Sequence, residues 1–111
     1  LAEYIKLLSS PDDEPGALPD EVMLYQNYPN PFNASTLIQF TLPEAMPVSL
    51  AIYDSRGQMV RQLSGDSGKA GLNTIRWDGK NDKEEEVSSG IYLYRLDSGD
   101  SYYMKKLTLI R

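Results

Sequence analysis

Apolar and polar side chains alternate with a period of two along much of this chain. Apolar Ile38, Phe40 and Leu42, for example, alternate with polar Gln39 and Thr41. Successive side chains of a β-strand point to opposite faces of the sheet, so this alternation indicates a strand with one buried face.

Similar runs, separated by clusters of glycine, proline, asparagine and aspartate, predict further strands. These lie at residues 22–25, 48–53, 58–63, 73–77, 91–96 and 102–110. About seven short strands, with turn signals about 8 to 12 residues apart, are typical of an immunoglobulin-like antiparallel β-sandwich. The pattern shows no alternation of strands with helices, so it does not predict a parallel sheet. The predicted fold class is therefore all-β.

Local features refine this prediction. Residues 54–57 predict a tight hairpin turn, in which Gly57 tolerates a positive φ. Residues 58–63 do not alternate cleanly, so we expect a bulge there. The glycine-rich stretch 65–71 is expected to be a flexible loop. Residues 91–96 are apolar or aromatic on both faces, which predicts a central strand covered on both sides.

The predicted core contains the only tryptophan of the chain. Trp77 shares a strand face with Asn73 and Ile75, which favours burial between the sheets over an exposed ligand platform. Tyr92 is expected to have a structural role, its hydroxyl bonding a nearby backbone carbonyl in a tyrosine corner. Six residues are expected to be buried in one core between the sheets: Phe40, Leu50, Ile52, Ile75, Trp77 and Leu96.

The first residues have a different pattern. Apolar residues at positions 1, 4, 5 and 8 have helical spacing, which predicts one or two turns of amphipathic helix. Residues 11–19 contain three prolines, a glycine and three acidic residues, which indicates an extended linker. We therefore expect residues 1–19 to be the tail of a preceding domain with its linker, and residues 20–111 to form one sandwich domain.

Composition excludes several classes of function. The 111 residues include 16 acidic and 11 basic side chains, and the formal net charge of −5 disfavours binding to nucleic acid. Histidine and cysteine are absent, which excludes Ser-His-Asp triads, disulfides and metal sites built from those ligands. No apolar run approaches the ~20 residues of a transmembrane helix. We therefore expect no catalytic residues, no cofactor and no transmembrane segment.

An acidic segment at residues 78–86 offers oxygen atoms that could bind calcium. A calcium loop needs ligands at alternating positions and a glycine at its sharp turn. Counting from Asp78 places Lys80 at a ligand position, and counting from Asp82 places Val87 at the glycine position. The favoured interpretation is a solvated turn in which the Asp78 carboxylate accepts hydrogen bonds from nearby backbone N–H groups. A calcium loop is the alternative.

The segment 27–36 reads Asn-Tyr-Pro-Asn-Pro-Phe-Asn-Ala-Ser-Thr. Its two prolines fix φ on either side of one asparagine, and the asparagine amides can bond to the local backbone. The phenylalanine supplies a large apolar group that can anchor the segment to a core. We therefore expect a rigid structural loop formed by Asn30, Pro31, Phe32 and Asn33.

Short motifs follow this loop in order. They are Leu-Pro-Glu-Ala (42–45), Val-Ser-Leu-Ala-Ile-Tyr-Asp (48–54), Gly57, Trp-Asp-Gly (77–79), Ser-Gly-Ile-Tyr (89–92) and Lys-Lys-Leu (105–107). With the loop, they make residues 22–111 resemble the C-terminal sorting domain (type A) of proteins exported by the type IX secretion system. The Trp-Asp-Gly and Ser-Gly-x-Tyr motifs are also similar to the immunoglobulin-like domain of flagellar hook-capping proteins. The chain departs from the sorting pattern in two places. Ala34 stands where many members have proline, and the charged stretch 83–86 stands where members often have a glycine.

The resemblance implies a non-catalytic sorting signal that directs an upstream cargo across the outer membrane of a Gram-negative-type bacterium. The implied partners are the outer-membrane secretion machinery and a surface sortase, and the implied destination, reached through the periplasm, is the cell surface or the medium. A signal peptide would then lie upstream on a longer precursor. The alternative function is a structural or adhesive immunoglobulin-like module, either hook-capping-like or carbohydrate-binding.

The resemblance also assigns candidate recognition residues at the C-terminus. They are Lys105, Lys106, Leu107 and Arg111, of which the two lysines and the arginine are expected to form a basic patch on a recognition surface for an acidic or lipid-associated receptor. The alternative is that the lysines only protect an edge strand from pairing with other chains.

Overall fold

The computed structural model describes residues 21–65 and 67–111. Within these ranges every regular element is a β-strand, which confirms the predicted fold class. The strands are β1 (Met23–Leu24), β2 (Thr36–Leu42), β3 (Met46–Pro47), β4 (Ser49–Tyr53), β5 (Met59–Ser64), β6 (Ser67–Gly68), β7 (Gly71–Trp77), β8 (Gly90–Ser98) and β9 (Ser101–Leu109). The helix predicted at residues 1–8, the linker at 11–19 and the domain boundary near residue 20 lie outside the described residues.

The strands form two main sheets and one short pair. The first sheet has the order β1-β2-β7, the second has the order β5-β4-β8-β9, and β3 pairs with β6; the pairs are antiparallel. Apolar side chains of the two main sheets meet in one core. The buried members are Leu24, Phe32, Ile38, Phe40, Leu42, Val48, Leu50, Ile52, Trp77, Tyr92, Tyr94, Leu96, Leu107 and Leu109. This is the two-sheet sandwich that the alternating pattern predicts.

The core positions follow from the strand registers. Leu50 lies opposite Leu96 in the second sheet, and both side chains are fully buried. In the first sheet Ile38 lies opposite Ile75. Ile38 is fully buried, but Ile75, expected in the core, is only partly buried. Its strand, β7, is at the edge of the sheet, where no strand of the described residues pairs with its outer side.

Two local predictions about the β4–β5 hairpin are confirmed. The pairing of the two strands shifts register twice, so that Val60 and Leu63 are extra residues on β5, as the broken alternation predicts. In the turn, Gly57 has φ 87°. The carboxylate of Asp54 accepts hydrogen bonds from the backbone N–H groups of Gln58 and Arg56 at 2.9 Å each. These bonds, chiefly the one from Gln58, lower the pKa of Asp54.

Two other local predictions are wrong. Residues 65–71 are not simply a flexible loop, because Ser67 and Gly68 form β6 and pair with β3. Gly68 is buried, and a Cβ atom there would lie 2.5 Å from Cδ1 of buried Leu42, so a larger residue would displace this core side chain. Strand β8 is central in its sheet but covered on one face only: Tyr92 is buried, whereas Ile91 on the other face is 51% exposed.

Candidate functional site

The asparagine- and proline-rich loop lies against β9, 78 positions further along the chain. The backbone N–H of Phe32 donates to the carbonyl of Thr108 at 3.0 Å, and the N–H of Ile110 donates to the carbonyl of Phe32 at 2.8 Å. The side-chain oxygen of Asn30 accepts the N–H of Thr108 at 3.0 Å. The result is a parallel bridge between Phe32 and Leu109. We call these five residues the loop–strand clamp.

An aromatic cluster holds the loop half of the clamp in the core. The ring of Phe32 is 3% exposed and lies 5.6 Å from the ring of Trp77, centroid to centroid. Trp77 lies 5.6 Å from Tyr92 in an edge-on arrangement, and its indole N–H donates to the carbonyl of Lys80 at 2.9 Å. Because Trp77 is fully buried, it cannot serve as a ligand platform.

Asn27 holds the base of the loop. Asn27 is only 2% exposed. Its side-chain amide nitrogen donates to the carbonyl of Pro29 at 3.2 Å and to the hydroxyl of Thr36 at 2.9 Å. The Thr36 hydroxyl in turn donates to the carbonyl of Pro29 at 2.9 Å. Pro31 and Asn33, expected in the rigid loop, are exposed at its tip. The buried network therefore fixes the two ends of the loop, and Pro31 and Asn33 stay exposed on either side of buried Phe32.

The hydroxyl groups of two β8 tyrosines bond to the backbone, one to a nearby residue and the other to a distant segment. The hydroxyl of Tyr92 donates to the carbonyl of Ser88 at 2.6 Å, which is the type of bond expected of a tyrosine corner. The hydroxyl of Tyr94 donates to the carbonyl of Tyr25 at 2.7 Å and accepts the N–H of Asn27 at 2.9 Å. Burial raises the pKa of Tyr94 to about 12, although the bond from Asn27 acts in the opposite direction.

Tyr94 is a structural residue that the sequence analysis missed. It lies two positions after Tyr92 and therefore on the same face of β8. That spacing was the available signal, but the backbone groups that it bonds belong to a segment 67 or more positions away. Nothing local in the sequence indicates that pairing.

The predicted recognition residues of β9 do not form one patch. Lys105 lies opposite Tyr94 and Lys106 opposite Leu93, so the two lysines point to opposite faces of the sheet. Lys106 is exposed and Lys105 is partly exposed. Leu107 is fully buried in the core, so its side chain is inaccessible in the folded domain. The two lysines remain as candidates, one on each face.

Arg111 is engaged within the domain and does not extend the basic surface. Its guanidinium and Nε donate to the carbonyls of Gly79 and Val87 at 2.6 Å each. The carboxylate of Glu86 lies 3.9 Å away, and the side chain is 26% exposed. The backbone N–H of Arg111 donates to the hydroxyl of Ser89 at 2.8 Å. These bonds attach the C-terminal residue to the turn that follows Trp77.

The acidic turn uses several of its oxygen atoms internally. The carboxylate of Asp78 accepts the N–H of Lys80 at 3.1 Å, as the solvated-turn interpretation requires. The side-chain oxygen of Asn81 accepts the N–H groups of Lys83 and Glu85 at 2.9 and 3.0 Å. Over residues 21–65 and 67–111, no group of three or more acidic side chains is placed to hold a metal ion. Over the same ranges, no helix is long and apolar enough to cross a membrane.

Comparison with known families identifies the domain. The sequence profile of the FlgD Ig-like domain matches residues 30–101, about two thirds of the chain. The chain belongs to this family. The match includes the loop half of the clamp, the Trp-Asp-Gly segment and both bonded tyrosines of β8. No curated protein matches the chain.

Solved structures show the same fold as this FlgD Ig-like domain. Part of dimeric latent PorU from Porphyromonas gingivalis is similar, with a TM-score of 0.66 and 23% identity over 86% of this chain and 10% of that chain. Part of PorZ, described as an essential bacterial surface component of the type IX secretion system of the same organism, has a TM-score of 0.57 and 20% identity over 79% of this chain and 11% of that chain. The chain therefore spans about a tenth of the length of each structure. At these identities the likeness shows the fold alone.

Proposed function

We propose that this FlgD Ig-like domain is a non-catalytic sorting domain that directs an upstream cargo across a bacterial outer membrane. The observation that carries the proposal is the loop–strand clamp. It joins the two segments that fit the sorting family better than the hook-capping modules, namely the loop 30–33 and the terminal strand. Their joined surface exists only in the folded domain, so a receptor that contacts it would recognise the domain only after it has folded.

The proposed partners are the outer-membrane secretion machinery and a surface sortase, and the proposed destination is the cell surface or the medium. The likeness to a surface component of the type IX secretion system is compatible with this assignment. Residues 11–19 would be the accessible junction with the cargo, because extended linkers are sites where proteases reach a chain. Residues 20–111 would then be the sorting domain itself.

A structural or adhesive immunoglobulin-like module is the second candidate. The family match supports it directly, since the matched residues 30–101 include the Trp-Asp-Gly and Ser-Gly-x-Tyr motifs. They stop before the two lysines of β9. The two candidates therefore differ in what they require of that strand: export requires its exposed side chains, and a structural module requires only the fold.

Fusion of the chain to a periplasmically exported reporter, in a bacterium with the secretion system, tests the proposal. The intact fusion should reach the surface or the medium, and a Lys105→Ala, Lys106→Ala double variant should leave more reporter in the periplasm. The matched control replaces Lys69 and Lys83, which are exposed elsewhere on the domain, with alanine. Both variants should nearly keep the melting temperature, because Lys69, Lys83 and Lys106 are exposed and Lys105 is partly exposed, and charges at such positions contribute only ~0–1 kcal/mol.

The distribution of reporter decides between the candidates. Retention of the double variant, with export of the control at the intact level, supports recognition of the strand. If the intact fusion stays in the periplasm while remaining folded, the sorting function is wrong and the structural module takes its place.

A further inference from the structure

The two edges of the four-stranded sheet differ in how they are covered. At the β5 edge, the N–H of Asp82 donates to the carbonyl of Val60 at 3.1 Å, and the Asp82 carboxylate accepts the N–H of Gln62 at 3.1 Å. Arg61 also donates to the carbonyl of Asn81 at 2.9 Å. The acidic turn therefore occupies the outward-facing backbone groups of β5 and blocks the addition of another strand.

The β9 edge is covered over only part of its length. The even-numbered residues 102–110 direct their N–H and C=O groups away from β8, as the bonds of Thr108 and Ile110 to the loop show. The carbonyl of Lys106 accepts the side-chain amide of Gln26 at 2.8 Å. Towards the hairpin turn, the outward N–H and C=O of Tyr102 and Met104, and the N–H of Lys106, have no hydrogen-bond partner within residues 21–65 and 67–111.

A groove lies beside this open length of edge, between β1 and β9. It has a volume of about 340 Å³, and it is lined by residues 21–24 on one side, with the acidic Glu21 among them, and by Tyr103, Met104 and Lys105 on the other. Tyr103 and Lys105 face the interior of the sandwich, because they lie opposite buried Leu96 and Tyr94. A strand added at the edge would place every second side chain over this groove.

We propose that residues 102–106 are a strand-addition site for an extended acidic segment of a partner protein. The partner strand would bond the open backbone groups and place an apolar side chain over the groove, opposite Tyr103. Acidic side chains would lie opposite Lys105 and Lys106, one on each face. Opposite charges on facing positions stabilise strand pairs, and like charges destabilise them.

The charges favour such a partner over a second copy of this chain. Two copies could pair antiparallel with Met104 opposite Met104, which places Lys106 opposite Tyr102 and Lys105 opposite Tyr103. That register satisfies the backbone groups but gives neither lysine an acidic partner. The inference rests on the edge of β9 and on the groove beside β1, and the binding test below can succeed or fail whatever the outcome of the export test.

A titration with a designed strand tests this site. The probe is a blocked seven-residue peptide of alternating threonine and valine, with glutamates at the positions opposite Lys105 and Lys106. Added to the isotope-labelled full chain, it should shift the backbone amide resonances of Tyr102, Met104 and Lys106 saturably. The same amides should exchange more slowly with solvent.

Two modified peptides separate strand addition from simple charge attraction. Methyl groups on the peptide nitrogens that face β9 should weaken binding at least about tenfold, because several hydrogen bonds are lost. Methyl groups on the alternate nitrogens, which face away, should leave it unchanged. A Lys106→Glu variant should bind the glutamate peptide several-fold more weakly and a matching lysine peptide more strongly.

Three outcomes would overturn the inference. One is equal binding of the two methylated peptides, and another is a set of shifts confined to β5 and the acidic turn. The third is sedimentation that shows the chain alone to be a dimer in which the amides of Tyr102, Met104 and Lys106 are already protected, since a second copy would then occupy the edge.

Discussion

Replacing Phe32 with alanine tests how firmly the loop–strand clamp is held by its aromatic side chain. The ring is 3% exposed and packs 5.6 Å from Trp77. Truncating a buried phenylalanine to alanine costs about 3–5 kcal/mol, which includes the additional contribution of an aromatic pair. Because Phe32 is on a loop that can relax into part of the vacated space, we expect the free energy of unfolding to fall by about 3 kcal/mol. Small domains have only ~5–15 kcal/mol in total.

Urea unfolding followed by tryptophan fluorescence measures this loss, since Trp77 is the only tryptophan. The matched control is Tyr28→Ala, because Tyr28 lies in the same loop but is 78% exposed. This control should change the free energy of unfolding by less than about 0.5 kcal/mol. In the Phe32 variant, amide exchange should also accelerate at Ile110, whose N–H donates to the Phe32 carbonyl. Equal losses in the two variants would show that the ring does not hold the loop.

Three further predictions concern other parts of the domain. The pKa of Tyr94 is raised to about 12 from a usual value of about 10, so its contribution to stability should be complete below about pH 10 and be lost as the pH rises towards 12. Urea titrations across this range should show a smaller alkaline decline in a Tyr94→Phe variant. Gly68→Ala should lower the free energy of unfolding by about 1–3 kcal/mol, because the new Cβ would meet Cδ1 of Leu42 at 2.5 Å. Gly65→Ala, whose Cβ would meet only a flexible side-chain atom at 3.7 Å, should change the free energy of unfolding little, and thermal unfolding of the two variants measures both effects. Arg111→Ala should cost about 1 kcal/mol in that experiment, because it removes charged donors from two carbonyls at a partly exposed site.

Much of the fold could be predicted because its signals are local. Alternation located β2, and the break in alternation located the register shifts of β5. The opposite faces of Lys105 and Lys106 also follow from the two-residue period of a strand, although adjacency in the sequence suggested one patch. By contrast, apolar character alone could not show that Ile91 faces solvent, because that depends on which elements cover the sheet.

The candidate site was harder to predict because its parts are distant in the sequence. Phe32 was expected to anchor its loop, but the sequence did not indicate that the loop pairs with Thr108 and Ile110. Arg111 looked like a free cation, but carbonyls of the turn after Trp77 accept its donors. Such bonds depend on how the two sheets stack, and no local propensity encodes that arrangement.

The span of the loop–strand clamp has a consequence for the time at which the domain matures. Its halves are separated by 78 positions, so a ribosome that has made Asn30 must still add most of the domain before Thr108 exists. Until then, the N–H and C=O of Phe32 have no β9 to bond, however completely the earlier strands have folded. Contacts of such long range also close slowly. Closure of the clamp therefore requires that the chain has been made through residue 110, and a product interrupted before residue 108 cannot form it.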